Sequence, residues 1–578
     1  TIKDAAGNDA LLTLPTVGGA SSLAGQKAIV IDGVRPTVSS IVKQTPATQK
    51  TNANTITWRV QFSEPVTNAS VEIADFQLVA VSGDITGASI TGVSPTIVAD
   101  PHNLYDVTAN VTGINAEIKL NFTGSVTDAA SNASAVGYTY TTGETYIVDH
   151  TNPSATITSP VNNSYQKSIS AISGTASDAG TPNSGVQSVQ VAIWVDNNTN
   201  GSFDAGDYYW NGSNWTTATN QTWVNATTSD SWVNWSYSLS ITSGDAVYYV
   251  ERRVVDQAGN TFADTEGSTT HRFYIDNTAP TQAAPTVTAL GGTVRTGYFN
   301  TTNTGFRVSV PLANDATLVG GNFKVQYQTA DDASFNTNVS SWADVNAIST
   351  HTIQSGEPNT TIHKDLTSTE FQNLVSEGKY IRFRAVTTDA AGNSTDGTES
   401  SPTLRDITLP TISSSSSVDA ASNGATDYID ITFSEPVYTN NDGTGALIAS
   451  DFNLTFSAGT DGTATGASIT GIRQTNSSDY SAANALSGGE TTVRVFLTVT
   501  GTPNGNETIT ITPADASSIY DVAGNAMQSS QTTGSKSLPD RTPPQIYLVS
   551  DNGATFVKEN SSVTITFFVS EVGGFSTV

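Results

Sequence analysis

Cysteine is absent from the 578-residue sequence, which excludes disulfide bonds and thiolate metal sites. A chain without disulfides draws its stability from hydrophobic cores, bound metals or neighbouring domains. Long apolar runs are missing too, because no stretch approaches the roughly 20 residues of a membrane-spanning helix. No charged and then apolar signal segment opens the sequence. The sequence therefore predicts no membrane span in this segment.

Basic residues are scarce: the sequence has 24 Lys and Arg against 52 Asp and Glu, a formal net charge of -28. A chain of this charge repels nucleic acid and anionic membrane surfaces, so neither is predicted to be a partner. Divalent and other cations are its natural partners.

Signals of catalysis are few. The five histidines lie far apart, without metal-ligand spacing, at His102, His150, His271, His351 and His363. A Ser–His–Asp triad would have to be assembled across repeats, and no phosphate-binding loop is present. Carboxylates do pair, but they recur once per repeat, which is typical of architecture rather than of one active site. The sequence predicts that the protein is not an enzyme.

A five-residue motif recurs along the chain as DAAGN, DAASN, DQAGN, DAAGN and DVAGN, beginning at Asp4, Asp128, Asp256, Asp389 and Asp521. Successive copies are about 124 to 133 residues apart, which predicts one domain per copy. A second marker follows each copy as IDGVRP, VDHTNP, IDNTAP, RDITLP and PDRTPP, with its aspartate at Asp32, Asp149, Asp276, Asp406 and Asp540. Its terminal proline predicts a final strand followed by a stiff linker.

The markers predict the domain boundaries. Residues 1–33 are expected to be the end of a preceding domain and residues 543–578 the first strands of a further one, so the sequence reads as a section of a longer protein. Four complete domains are predicted between them, at residues 34–150, 151–278, 279–408 and 409–542, here called the first to fourth domains.

Short segments such as TITWRVQF, AEIKLNF and TTVRVFLTV alternate apolar with polar residues, separated by Gly, Asn, Asp, Ser and Pro. This alternation predicts strands buried on one face. One short helix is expected, between Thr367 and Lys379. Each repeat is therefore predicted to be an antiparallel immunoglobulin-like β-sandwich, and the chain an all-β tandem string of them.

Two domains resemble each other closely. VQFSEPVTNA, ADFQL and ITGASITGV in the first domain return as ITFSEPVYTN, SDFNL and ATGASITGI in the fourth. Together with SGTASD, DAAGN and VDHTNP, these phrases resemble the bacterial and archaeal immunoglobulin-like (Big-type) repeats of long cell-surface proteins. The resemblance covers nearly the whole chain. The resemblance implies an extracellular, cell-surface location. The chain is similar to the surface-layer proteins of archaea, including those of ammonia oxidisers.

The order of strands in a seven-strand sandwich places the linker, the loop after the second strand and the motif loop at one pole. The acidic residues at these places, together with the asparagine that ends each motif, form four predicted groups: Asp32, Glu64, Asp128 and Asn132; Asp149, Asp178, Asp256 and Asn260; Asp276, Asp315, Asp389 and Asn393; and Asp406, Glu435, Asp521 and Asn525. Asp540 and Glu571 begin a fifth. Converging carboxylates repel one another unless a cation lies among them, and calcium takes about six to eight oxygen ligands. The hypothesis is calcium at each joint; the alternative is a hairpin turn that needs no metal.

A separate calcium loop is predicted in the second domain, in the stretch DNNTNGSFDAGD. Its residues match the twelve-residue calcium-loop pattern, with ligands at Asp196, Asn198, Asn200, Ser202, Asp204 and Asp207 and a glycine at the sixth position. The loop ends in Asp rather than Glu and is flanked by strand-like segments, so a structural site is expected rather than a switch. The alternative is a flexible Asn-rich loop.

Asparagine also occurs in about twenty N-x-S/T sequons, roughly twice the chance expectation, which favours a secreted glycoprotein. The candidate glycosylation sites in turns are Asn68, Asn110, Asn121, Asn197, Asn211, Asn225, Asn300, Asn359, Asn453 and Asn476.

Three functional classes stay open. The first is a surface-layer protein, in which copies of the chain form a calcium-stabilised, glycosylated two-dimensional lattice; the divergence of the domains favours it. The second is the stalk of a giant adhesin. The third is a glycan-binding module, whose candidate side chains are Trp210, Trp215, Trp223, Trp232 and Trp235. Their alternating placement favours the alternative that most of them are core or packing residues.

Overall fold

The computed structural model describes residues 2–11, 13–27, 30–217, 221–419, 427–550 and 565–570. The chain divides into two compact units, Thr1–Asn277 and Thr278–Val578. Strands dominate both units, and the all-β prediction is confirmed. The helices are α1 (Leu23–Gln26), α2 (Ser368–Leu374) and the 3-10 helices Asn68–Ser70, Ile73–Asp75, Ala316–Leu318 and Ala449–Asp451. None of the described helices is long and apolar enough to cross a membrane.

The first domain is a sandwich of two four-stranded sheets. Its strands are β1 (Val38–Thr45), β2 (Lys50–Thr51), β3 (Thr55–Val66), β4 (Phe76–Asp84), β5 (Ser89–Pro95), β6 (His102–Asn110), β7 (Asn115–Phe122) and β8 (Thr145–Val148). One sheet has the order β1-β3-β6-β5 and the other β2-β8-β7-β4; only the β2–β8 pair is parallel. Alternate residues of β3, such as Trp58 and Val60, are fully buried between the sheets, as the alternation predicts.

The second domain has a larger outer sheet. Its strands are β9 (Ser154–Ser159), β10 (Ser164–Gln166), β11 (Ile169–Ser177), β12 (Val186–Asp196), β13 (Tyr208–Trp210), β14 (Trp215–Thr216), β15 (Val224–Asn225), β16 (Asn234–Ile241), β17 (Ala246–Asp256), β18 (Thr261–Ala263) and β19 (Arg272–Ile275). β16-β11-β9 pack against an eight-stranded sheet built on β10-β19-β17-β12-β13-β14. Five tryptophans of this domain were candidates for glycan stacking. Trp235 is 2% exposed, and Trp210, Trp215 and Trp232 pack against the same core.

The third domain packs β20 (Thr286–Leu290), β22 (Gly305–Pro311) and β26 (Thr361–Thr367) against a second sheet. That sheet contains β21 (Tyr298–Phe299), β23 (Asn322–Ala330), β24 (Ala343–Asp344), β25 (His351–Thr352), β27 (Tyr380–Thr388), β28 (Ser394–Asp396) and β29 (Thr403–Arg405). Helix α2 begins as predicted, with Thr367 and Glu370 forming a capping box. It ends at Leu374, earlier than predicted, because Val375 is extended.

The fourth domain repeats the strand order of one sheet of the first domain. Its strands are β30 (Ile412–Ser415), β31 (Asp427–Val437), β32 (Phe452–Ser457), β33 (Gly466–Arg473), β34 (Glu490–Thr500), β35 (Thr508–Pro513) and β36 (Lys536–Ser537). The antiparallel pair β37 (Gln545–Ser550) and β38 (Ile565–Ser570) comes after them in the chain. The sheet β30-β31-β34-β33 corresponds to β1-β3-β6-β5. A cross-strand Arg–Asp pair occupies the same place in both domains, with its partners exchanged: Arg59 with Asp106, and Arg494 with Asp430.

Candidate metal centres

The structure brings together three of the predicted acidic groups. Within each, one carboxylate oxygen from every residue lies within 4.8 Å of the others, and the groups are Asp32, Glu64 and Asp128; Asp149, Asp178 and Asp256; and Asp406, Glu435 and Asp521. Each group combines the linker aspartate with the second-strand acid and the motif aspartate. Such a set of hard oxygen donors suits calcium.

In the first group, Glu64 lies near the end of β3, and Asp32 precedes β1. The Glu64 Oε1 atom is buried and has no hydrogen-bond partner among the described residues. Burial, followed by the negative charges of Asp32 and Asp128, raises the pKa of Glu64. An unpartnered buried carboxylate oxygen beside two other carboxylates is costly unless it is protonated or meets a cation.

In the second group, Asp149 is fully buried, and its Oδ2 accepts the backbone N–H of Ser184 at 2.7 Å. Asp178 uses Oδ2 to accept the Gly185 N–H at 2.7 Å, whereas its Oδ1 is buried and has no partner in the described part of the chain. Burial raises the pKa of Asp178, with further contributions from Asp149 and Asp256. The backbone donors thus leave one carboxylate oxygen facing the other acids.

The third group has the largest shifts in the pKa values of its carboxyl groups. Burial, then the charges of Asp521 and Glu377, raises the pKa of Asp406 to about 6. Burial, then the charges of Asp521, Asp406 and Glu377, raises the pKa of Glu435 to about 7. Three carboxylates at this joint therefore resist being ionised together.

Glu377 is a fourth acid at this joint that sequence reasoning missed. It lies in the turn between α2 and β27, outside both repeated markers, and its Oε1 accepts the N–H groups of Ile407 and Thr408 at 2.9 and 3.0 Å. The only sequence signal was a Glu-Gly-Lys turn, which is common in proteins without any such role.

Without calcium, the stability of the fourth domain is expected to fall between pH 5 and pH 8. The folded pKa of Glu435 is about 7, against an ordinary value of 4.5. Folding therefore favours the protonated carboxyl, and this stabilisation is present below pH 4.5 and is lost as the pH rises through about 7. Calorimetry of the chain in a chelator at both pH values measures the effect. The Glu435→Gln variant should lose much of this dependence; an unchanged dependence in the variant would contradict the assignment.

The remaining predicted acids stay predictions. The group with Asp276 is divided between the two units, with Asp315, Asp389 and Asn393 in the second. Asp315 caps the 3-10 helix Ala316–Leu318, and its Oδ1 accepts the N–H and hydroxyl of Thr317 at 2.9 and 2.8 Å. Asp540 accepts the Thr542 N–H at 2.9 Å, and Glu571 lies outside the described residues.

The five-residue motif forms the same hydrogen-bonded clasp in every copy. The aspartate accepts the backbone N–H of the asparagine four residues later through Oδ1, and the amide Nδ2 of that asparagine through Oδ2. These distances lie between 2.7 and 3.1 Å for Asp4–Asn8, Asp128–Asn132, Asp256–Asn260, Asp389–Asn393 and Asp521–Asn525. The fourth residue has a positive φ in all five, which explains the preference for glycine there.

The clasp gives the motif asparagines a structural role in addition to the predicted one. Asn132, Asn260, Asn393 and Asn525 are predicted metal ligands, and each donates its amide nitrogen to the motif aspartate. An amide nitrogen does not coordinate a cation, so the ligand atom of each would be its Oδ1. In Asn260 and Asn525 this oxygen accepts a hydrogen bond, from Asn52 and Thr301 respectively. These residues position the aspartates, and their place in a ligand set stays a prediction.

The loop from Asp196 to Asp207 is closed by its own polar side chains. Asp196 and Asp207 are 2% and 1% exposed; Asp196 accepts the Gly201 N–H at 2.8 Å and Asp207 the Asp204 N–H at 2.9 Å. Gly201 has φ +76°, as the sharp turn at the sixth position requires.

The other predicted ligands of the loop turn inward. The side-chain amides of Asn198 and Asn200 donate to Asp204, and the Ser202 N–H donates to the Asn200 Oδ1 at 2.8 Å. Phe203 anchors the loop, because its ring packs against Trp194 and Tyr209. The predicted ligands are thus linked to one another and to the loop backbone by hydrogen bonds, and calcium there stays a prediction.

The predicted glycosylation sites differ in exposure. Asn197, Asn211, Asn225, Asn359, Asn453 and Asn476 are exposed, and Asn68 and Asn110 are half-buried. Asn121 and Asn300 are 8% and 1% exposed. The amide nitrogen of Asn300 donates to the carbonyls of Thr293 and Ala523 at 2.9 and 2.8 Å, and a glycan replaces one of its two hydrogens, so it would break one of these bonds. The burial and this lost bond disfavour a glycan at Asn300.

No protein family profile matches the chain, and no curated protein matches it. Among solved structures, FN1–FN3 domains of chicken CNTN1 align with 64% of this chain and 98% of theirs, at 10% identity and a TM-score of 0.23. A 1.5-MDa bacterial ice-binding adhesin aligns with 64% of this chain and 98% of its own, at 15% identity and a TM-score of 0.27. The S-layer protein rSbsC(31-844) aligns over 93% of this chain and 63% of its own, at 12% identity and a TM-score of 0.17.

Proposed function

We propose that the chain is a structural segment of a surface-layer protein. In this proposal, acidic immunoglobulin-like domains from many copies tile the exterior of an archaeal cell, and calcium at the domain joints stabilises the folded domains. The observation that carries the proposal is the recurrence of the acidic group: the linker, second-strand and motif acids converge in the same way three times. A single active site would not recur in each repeat.

The charges give calcium a physical task. At -28 the chain repels its own copies, so dense packing in a lattice requires cations between and within the domains. Each of the three joints has an acid whose pKa is raised, mainly because of burial: Glu64, Asp178 and Glu435 respectively. A bound calcium would offset both the burial and the repulsion, and Asp196, Asp204 and Asp207 would hold a further ion in the second domain.

Glycans would be carried by the exposed sequons. Six of the ten candidates, for example Asn211 and Asn359, are exposed, and Asn359 lies in a loop with φ +65°. Hydrophilic glycans at such positions would protect the outer surface of a lattice without entering a core.

The proposal is tested by electron cryotomography of the native cell envelope, labelled for this protein, before and after calcium chelation. The expected result is a continuous two-dimensional array that falls apart in the chelator. Isolated fibres projecting from the surface would contradict the surface-layer assignment and identify an adhesin stalk instead. An array that survives complete chelation would contradict the role of calcium.

A further inference from the structure

The peptide bond that follows two of the linker aspartates, Asp149 and Asp406, is held by both neighbouring domains. At the joint between the first and second domains, the Asp149 carbonyl accepts the Asn260 Nδ2 of the second domain at 2.7 Å. The N–H of His150, on the other side of the same peptide bond, donates to Asn115 Oδ1 of the first domain at 2.6 Å. One linker amide is therefore clamped between two domains.

The same clamp recurs at the joint between the third and fourth domains. The Asp406 carbonyl accepts Asn525 Nδ2 of the fourth domain at 2.9 Å, and the Ile407 N–H donates to Glu377 Oε1 of the third domain at 2.9 Å. Asn115 and Glu377 are different residue types in different kinds of domain. Each nevertheless accepts the N–H of the residue that follows the linker aspartate. Because the same arrangement occurs at two joints, the contact is a repeated feature of the fold.

The amide oxygen of the motif asparagine contacts the preceding domain as well. Asn52 Nδ2 of the first domain donates to Asn260 Oδ1 at 3.2 Å, and the N–H and hydroxyl of Thr301 each donate to Asn525 Oδ1 at 2.8 Å. Asn52 and Thr301 both follow a short strand that pairs in parallel with the last strand of its domain. Asn260 and Asn525 are 8% and 0% exposed.

These contacts do not depend on a cation. They join neutral amides, carbonyls and hydroxyls, with the single exception of Glu377, and hydrogen bonds of this kind are directional. Two bonds on opposite sides of one planar peptide fix its rotation relative to both domains. Breaking the joint would leave buried amide groups unpaired, which is costly.

We propose that the pole around Asn260, and likewise around Asn525, is an interface that recognises the preceding domain. Its partner is a domain that presents a linker carbonyl together with an amide or hydroxyl donor in the place of Asn52 or Thr301. The interface fixes the angle between the two domains whether or not calcium is bound. This inference does not rest on the surface-layer function or on the metal sites.

The test leaves the motif loop and the acidic group untouched by altering only the preceding domain. Asn52→Ala and Asn115→Ala are combined in the full chain, and the matched control is Asn8→Ala, which removes the exposed asparagine of the first motif copy. Because the chain has no cysteine, Thr91→Cys and Thr175→Cys, at exposed positions in the first and second domains, take spin labels selectively. Pulsed electron paramagnetic resonance then measures the distribution of distances between the two domains.

The expected result is a narrow distribution for the parent and Asn8→Ala chains in both chelator and calcium. The double variant is expected to lose the narrow distribution in chelator, while hydrogen exchange shows that β7 and β12 remain protected. A double variant as narrow as the parent in chelator would overturn the proposal. So would a parent chain that is broad in chelator and narrow only in calcium. If the double variant loses protection in β7, Asn52→Ala alone is measured and judged by the same outcomes.

Discussion

In millimolar calcium the full chain is expected to unfold at a temperature about 10 °C higher than in a chelator. A ligand at 100 times its dissociation constant stabilises the folded state by about 2.7 kcal/mol. For a domain of this size each kcal/mol shifts the melting temperature by roughly 4 °C. The three groups around Glu64, Asp178 and Glu435 are expected to contribute separately, so calorimetry should show the transitions of the domains moving upward as calcium is added.

The control for this experiment is a chain in which the shape of the acids is kept and their charge removed. Glu64→Gln, Asp178→Asn and Glu435→Gln are combined. In the chelator this variant should be more stable than the parent chain, because each substitution removes a repelling carboxylate whose pKa is raised. In calcium it should gain little.

A calcium shift of the same size in the variant and the parent would contradict binding at the joints. It would direct attention to the loop of the second domain instead, where Asp196→Asn and Asp207→Asn test the predicted ligands. Magnesium is a second control: it demands a rigid octahedral geometry and keeps its waters, so it should stabilise the parent chain less than calcium does.

Most of the fold could be predicted from the repeats in the sequence. Alternation in TITWRVQF places Trp58 and Val60 inward, and the structure buries both. The convergence of Glu64 with Asp32 and Asp128 followed from the order of strands in a sandwich, because that order alone decides which loops share a pole. These features are local or topological, and one chain is enough to read them.

Features that depend on contacts between domains could not be predicted from the sequence. The sequence pattern does not show that Asn260 donates to a linker carbonyl, because that contact depends on the residue that lies opposite its side chain. Glu377 belongs to no repeated marker. A sequon likewise carries no information on burial, and the side chain of Asn300 is enclosed because residues more than 200 positions later pack against it.

Replacing Trp58 by alanine is expected to destabilise the first domain by about 3 to 5 kcal/mol, the usual cost of emptying a buried tryptophan site. The ring is fully buried and lies edge-on to Tyr146 with centroids 5.2 Å apart. Its Nε1 donates to the Glu144 carbonyl at 3.0 Å, which would be left unpaired. Calorimetry should show one domain transition falling by more than 10 °C, at roughly 4 °C per kcal/mol.

The matched control is Trp223→Ala. Trp223 is half-buried and contacts the Arg253 guanidinium at 5.0 Å from the ring centroid, a contact of about 0.5 to 1 kcal/mol, so its loss should cost far less. The Trp58 variant also reaches the metal hypothesis, because β3 carries both Trp58 and Glu64. At a temperature where only the first domain has melted, the chain should bind one calcium fewer than the parent. An unchanged calcium count would mean that the group around Glu64 does not hold the ion.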